Sequence, residues 1–339
     1  MSDTSFSLEI NERHTRIADA KQNGKKVELL SLGVADTTPQ YFGSDTDALI
    51  EKQAAVITQL VDNLKIKKKN VRVILPDGYT YSQIVEMPKL KEKELLAAIR
   101  YQADEFIPMP IDETSIDLEI LKEDTKAKKV LILIVASPKK VVNQIEKTLL
   151  AANLVPETLE NELSATGRLI STLFPQAPGT ALYINFGYSY SSIYLVDTAT
   201  SLIIMSRTLK VGLDLFVRDI KANLNLEEPK IFEALKTIGL NQNGSYNLES
   251  IISPIMKELL QEIERIINLA RDRHNVKVDK IYIMNFCAQV AMLNSRIESF
   301  FSLPVVTLDL KDNLVANPIT QSFANEIPSF ISVIAGNLR

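Results

Sequence analysis

Twice along this chain, three strand-length apolar stretches joined by tight polar turns are followed by a helix. In the first half Phe6, Leu8 and Ile10 alternate to one side, a polar turn over 11–13 leads to a second strand carrying Ile17, and Asn23-Gly24 turns the chain into a third over 26–34. From Asp47 the apolar period becomes helical, with Leu49, Ile50, Ala54, Ile57, Leu60, Val61 and Leu64 at three- and four-residue spacings. Strands over 180–185, 191–197 and 201–208, then a helix after Gly212, repeat the order in the second half. The residues hardly match, so the repeat is one of topology. It predicts an α/β chain of two similar lobes with a cleft between them.

Between the lobes' first helix and the second meander lies a different pattern. A strand over 71–75 ends at Pro76-Asp77-Gly78, and a strand over 81–87 ends at Pro88. A helix over 91–106 is stopped by Ile107-Pro108-Met109-Pro110. Strands over 115–121 and 129–136 flank a charged turn, and a helix over 138–152 follows with Pro138 near its first turn. Helix 160–173 and the Pro-Gly stretch 175–179 then mark a boundary. The expected division is a first lobe over 1–75 and 156–177, a small inserted α/β domain over 76–155, and a second lobe over 178–339 with a helical subdomain at about 212–275. Its longest helix is expected over 253–274, capped by Ser253 with Pro254 at the first position, and one more helix is expected in the tail at 325–335.

Composition narrows the function. With 38 basic and 42 acidic side chains the net charge is −4, which does not call for nucleic acid or an anionic membrane surface. The basic run 65–69 reads as a solvated helix end. One cysteine, Cys287, and two histidines, His14 and His274, leave no disulfide, metal cluster or Ser-His-Asp relay to build. The longest apolar run, 130–136, is far short of the roughly 20 residues that span a bilayer, and no secretory signal opens the sequence. A cytoplasmic location, with membrane contact only through partners and no membrane insertion, is expected.

Three strand–turn segments, 7–14, 183–189 and 281–287, have the outline of a nucleotide cleft but lack its chemistry. Phosphate-cradling turns want glycines, and a Mg²⁺ site wants a short carboxylate at a strand end. The candidate cleft residues are Glu9, Asn11, Glu12, Arg13, Asn185, Gly187, Ser189, Asn285 and Phe286. Glu9 reads either as a metal-bridging carboxylate with one extra methylene or as a solvated strand-end acid. Arg13 reads as an internal cation in place of Mg²⁺ or as an exposed turn, and Ser189, Ser191 and Ser192 as phosphate donors or as turn serines.

Met87-Pro88, then Glu94-Leu95, Ile99, Gln102-Ala103, Phe106-Ile107-Pro108 and Ile116-Asp117-Leu118, resembles the signature of the PilM family of type IV pilus assembly proteins. The run 207–212, an arginine before a glycine-led helix, is similar to a second segment of that family. The resemblance covers most of the chain and implies the actin-like fold of the cell-division protein FtsA, with a small domain inserted in the first lobe. It also implies a partner: PilM proteins bind a short cytoplasmic N-terminal segment of the inner-membrane protein PilN. Against that pattern Glu9 stands for an aspartate, 11–13 for glycine and small hydroxyl residues, Asn185 for a second aspartate and Asn285-Phe286 for a glycine pair. Phe286 is bulky enough to fill the adenine slot. Losing several charge-assisted contacts at roughly 1.5 to 3 kcal/mol each weakens ATP by orders of magnitude.

Two function classes follow. One is a scaffold of a pilus machine with a degenerate nucleotide cleft, no cofactor and no catalytic residue, binding a PilN-like segment and able to self-associate in rings. Met87, Pro88, Phe106, Ile107, Pro108, Met109 and Pro110 are its candidate partner-binding residues, since a Pro-Met-Pro corner is rigid and apolar. The other is an actin-like ATP switch or weak ATPase using ATP with Mg²⁺, and a type II secretion scaffold domain is a further alternative.

Overall fold

The computed structural model describes residues 4–101, 107–241 and 247–338. It divides into two compact units, Met1–Thr172 with Ser332–Arg339, and Leu173–Ile331.

The first unit is built on the five-stranded sheet β3-β2-β1-β4-β8. Strands β1 (Ser5–Ile10), β2 (His14–Asn23) and β3 (Lys26–Asp36) form the expected antiparallel meander, and β4 (Asn70–Leu75) lies parallel to β1. On one face Phe6, Leu8, Ile10, Val71 and Val73 pack with Ile57 and Leu60 of α1 (Asp47–Asn63) and with Ile145 and Leu149 of α3 (Lys139–Ala151). The inserted layer is a three-stranded antiparallel sheet, β5 (Tyr81–Pro88), β7 (Lys129–Pro138) and β6 (Thr114–Asp124), in the order β5-β7-β6. Leu95 and Ile99 of α2 (Glu92–Tyr101) close its core.

Two boundaries and one strand differ from the sequence reading. Helix α3, placed with the insert, shares the core of the five-stranded sheet, because its Ile145–Leu149 stripe faces α1 rather than β7. Strand β8 (Val155–Asn161), parallel to β4 at the sheet edge, carries Pro156, Glu157 and Glu160 and so has no apolar alternation to find. Residues 332–339, placed with the second lobe, belong to the first unit: Asn337 donates to the Ala18 carbonyl (3.1 Å) and accepts from the Ala20 N–H (3.3 Å). The basic run is not wholly solvated either, since Lys68 reaches Asp19 at 2.7 Å.

Helix α4 (Glu162–Leu173) starts two residues later than expected because Asn161 ends β8 and caps it, accepting from the Ser164 N–H at 3.0 Å. Asp77 is a second cap, accepting from the Leu163 N–H (3.1 Å), while Glu162 accepts from the Asp77 N–H (3.0 Å). This reciprocal lock fixes the turn after β4 against the start of α4.

The second unit repeats the strand order. Its sheet runs β11-β10-β9-β12-β13, with β9 (Thr180–Phe186), β10 (Ser191–Asp197) and β11 (Leu202–Leu209) antiparallel and β12 (Lys280–Asn285) and β13 (Val305–Thr307) parallel to β9. Helices α5 (Leu213–Leu224), α6 (Glu228–Thr237) and α7 (Leu248–His274) share one core with that sheet. Helix α7 begins before the expected Ser253 cap: Asn247 caps it and Pro254 lies inside, because Leu248 and Ile252 extend the buried stripe upstream. Helix α8 (Leu293–Phe301) precedes β13 and α9 (Pro318–Ser322) follows it; of the helix expected over 325–335, a 3₁₀ turn over Ile327–Phe330 leads into the α-helix α10 (Ile331–Ala335).

Candidate functional site

The turn between β1 and β2 is closed by its own side chains. Asn11 accepts from the backbone N–H groups of Arg13 (3.0 Å) and His14 (2.7 Å) through Oδ1, and its Nδ2 donates to Glu9 Oε1 (2.7 Å). The side chain thus occupies both amides, a kind of donor pair that in other turns can bind an anion. The Glu9 carboxylate is fully buried, and its Oε1 also accepts from Arg16 Nη1 at 2.8 Å. Glu9 and Arg16 face each other across the hairpin, so register brings them together. Glu9 is thus neither a solvated acid nor a free metal ligand, and the internal cation at this carboxylate is Arg16, which sequence reasoning missed. The signal was present: residues 9 and 16 are equidistant from the 12–13 turn. Glu12 and Arg13 sit half-buried on the turn itself.

His14 lies beside this pair. Burial, then the charges of Arg16 and Arg13, lower its pKa from 6.5 to about 3, while Asp36 is 3.7 Å from its Nε2. The native state holds the ring neutral where the unfolded chain takes up a proton. Stability from this group is therefore complete above the unfolded value and is lost as pH falls from 6.5 towards 3. Between pH 7 and 5 the loss is about 2 kcal/mol. Denaturant melts at the two pH values are expected to show that part of the slope disappearing in His14→Gln.

In the second unit the corresponding turns are held in part by their own side chains. Asn185 and Asn285, at the ends of neighbouring strands, pair amide to amide at 2.9 Å. Asn285 adopts φ 70°, ψ −119°, a region glycine enters freely and other residues rarely. Phe286 is buried in the unit's core, 6.0 Å from the Tyr188 ring, so its bulk serves packing. The carbonyls of Gly187 and Tyr188 accept from the N–H groups of Leu213 (3.1 Å) and Asp214 (2.9 Å), which caps α5 with backbone and occupies its first donors. Ser189 hydrogen-bonds the Asp214 carboxyl, whose pKa burial raises despite that bond. Ser192 pairs with Thr208, and Ser191 is buried.

Among the candidate partner-binding residues, Met87 and Ile107 are buried in the core of the insert and Met109 packs against it, while Pro88, Pro108 and Pro110 are exposed. Phe106 lies outside the described residues. A groove of about 730 Å³ opens elsewhere in the first unit. It is lined by Asp117, Leu118 and Glu119 of β6 and by Glu157, Thr158, Leu159, Glu160 and Asn161 of β8. Val135 of β7 and Arg72 of β4, the strand partners of Asp117 and Thr158, also line it. Strands β6 and β8 are each the last in their sheet, so among the described residues neither has a strand on its outer side, and on β6 the Leu118 N–H is taken by Asp117 Oδ1 at 2.9 Å. Its charged lining is four carboxylates, Asp117, Glu119, Glu157 and Glu160, against two guanidiniums, Arg72 and Arg168.

A sequence profile of the family described as type IV pilus assembly protein PilM matches residues 9–335. The chain belongs to the PilM family. Among solved structures it is similar to a PilM-PilN type IV pilus biogenesis complex, at 19% identity and a TM-score of 0.87, covering 99% of this chain and 98% of that one. Weaker likenesses are to the ethanolamine utilization protein EutJ from Carboxydothermus hydrogenoformans (9% identity, TM-score 0.54, 98% and 88% covered) and to MreB 5 of Spiroplasma citri bound to AMPPNP (10%, 0.52, 98% and 94%). The fold is therefore actin-like, with a small α/β layer inserted in the first half. Within it this PilM chain has a carboxamide on the first turn's amides, a guanidinium on Glu9 and an amide pair at 185 and 285. That donor set does not fit a Mg²⁺-nucleotide.

Proposed function

We propose that this chain is a cytoplasmic scaffold of a type IV pilus assembly machine, holding an extended segment of a PilN-like inner-membrane protein along the groove between β6 and β8. The single observation that carries the reading is a groove lined by the end strands of two sheets. An extended chain satisfies its backbone groups by adding to the edge of such a strand, and side chains flanking the edge select its sequence. The excess of carboxylates favours a segment with basic residues. Membership of the PilM family and likeness to a relative solved with PilN support the choice of partner. The partner recruits the chain to the membrane, and the first turn is kept for shape rather than turnover.

Calorimetric titration with the N-terminal segment of a PilN-like protein tests this. Saturable binding at micromolar Kd, about −8 kcal/mol, is expected. Leu118→Glu, which puts a charge on the groove wall, should weaken it at least tenfold, or about 1.4 kcal/mol, whereas Pro108→Ala should leave it within about twofold. Reversing Asp117 and Glu119 to lysine should weaken binding and flatten its salt dependence. A peptide that ignores the protein, or that binds Leu118→Glu unchanged, overturns the groove.

A further inference from the structure

The β1–β2 turn is closed as though a ligand were already there. Asn11 Oδ1 lies 3.0 and 2.7 Å from the two turn amides, which is where an anionic oxygen would sit, and Arg16 lies 2.8 Å from Glu9, which is where a cation would sit. We infer that Asn11 and Arg16 are built-in substitutes for a phosphate oxygen and its cation, so that the first unit keeps a ligand-closed turn with no nucleotide. This goes beyond the scaffold reading and does not depend on the groove.

Three features support it. Both halves of the missing ligand are replaced on one hairpin, and Asn11 Nδ2 joins them by donating to the same Glu9 oxygen that Arg16 holds. The pair is almost fully sequestered, with side-chain exposures of 2% for Arg16 and 1% for Glu9, so its Coulombic attraction is little screened. Glu9 Oε2 is also buried, so a cation coming from solvent would have to displace protein to reach it. A nucleotide would have to expel the carboxamide from the amides and bring a divalent cation beside a guanidinium. Both steps are unfavourable.

Differential scanning calorimetry of the full chain reads this directly, with ionic strength matched by KCl. The wild-type midpoint is expected to move by less than about 1 °C in Mg²⁺-ATP or in Mg²⁺ alone. Arg16→Ala leaves Glu9 without its cation, so its midpoint should fall by about 5 °C or more, and about 10 mM Mg²⁺ should restore at least half of that loss. If Arg16→Ala does not fold alone, recovery of folded protein by refolding in Mg²⁺ reads the same outcome. Arg16→Lys keeps a cation at the site and should be as silent to Mg²⁺ as the wild type.

Saturable stabilisation of the wild type by Mg²⁺-ATP overturns the inference. So does an Arg16→Ala protein that Mg²⁺ fails to restore or recover, or an Arg16→Lys protein that Mg²⁺ stabilises. None of these outcomes involves the peptide, so failure here is distinguishable from failure of the groove.

Discussion

Gly212→Ala is expected to unfold the start of α5 and destabilise the second unit by about 3 to 5 kcal/mol. A Cβ at this position would lie 2.0 Å from the Tyr188 carbonyl oxygen and 2.5 Å from its carbon. Those are backbone atoms, so no side-chain rotation relieves the overlap. The turn would have to leave the helix and give up the bonds from Leu213 and Asp214 to the Gly187 and Tyr188 carbonyls. A loss of that size is a large fraction of the stability of most domains. Hydrogen exchange should show faster exchange across 187–224, with denaturant melts shifted in parallel. Gly43→Ala is the control: its nearest atom is Gln40 Cβ at 3.8 Å, and the change should stay within about 0.5 kcal/mol.

The second large effect belongs to the buried pair in the first unit. Glu9→Met strips a sequestered guanidinium of its carboxylate and Arg16→Met does the reverse, each at an expected cost of about 3 to 5 kcal/mol. The double variant replaces both charges with apolar volume and should lie within about 2 kcal/mol of the wild type. A double-mutant cycle from urea melts then returns a large coupling energy. Additive single effects would mean that the 2.8 Å contact contributes little, and would also weaken the case for Arg16 as an internal cation.

The strands of both meanders were legible because Phe6, Leu8 and Ile10, and later the 180–185 run, carry strong apolar patterns bounded by turn residues. Helix α1 was legible for the same reason, with a wide stripe at helical spacing. Strand β8 was not, because an edge strand with Pro156 and two glutamates offers no periodic signal, yet it makes one wall of the groove. The polar strand-end turns were recognisable by residue type, but the cation paired with Glu9 was not. Arg13 is the arginine nearest the turn, whereas Arg16 is the one whose register faces Glu9. Of the residues read as a partner surface between Met87 and Pro110, Met87 and Ile107 lie in the core of the insert while Pro88, Pro108 and Pro110 are exposed, a split that residue type alone does not give.

By itself the sequence determined the repeated order of elements, the presence of an insert and the family, since each rests on local periodicity, turn chemistry and motifs within a few tens of residues. Only the tertiary structure decided which buried polar groups satisfy one another and which strands end each sheet. Glu9 with Arg16, Asn185 with Asn285 and Asn337 with Ala18 are partners created by strand register and by approach across 7, 100 and 319 residues of chain. A buried polar atom must find a partner, but its own neighbourhood in the sequence does not name it.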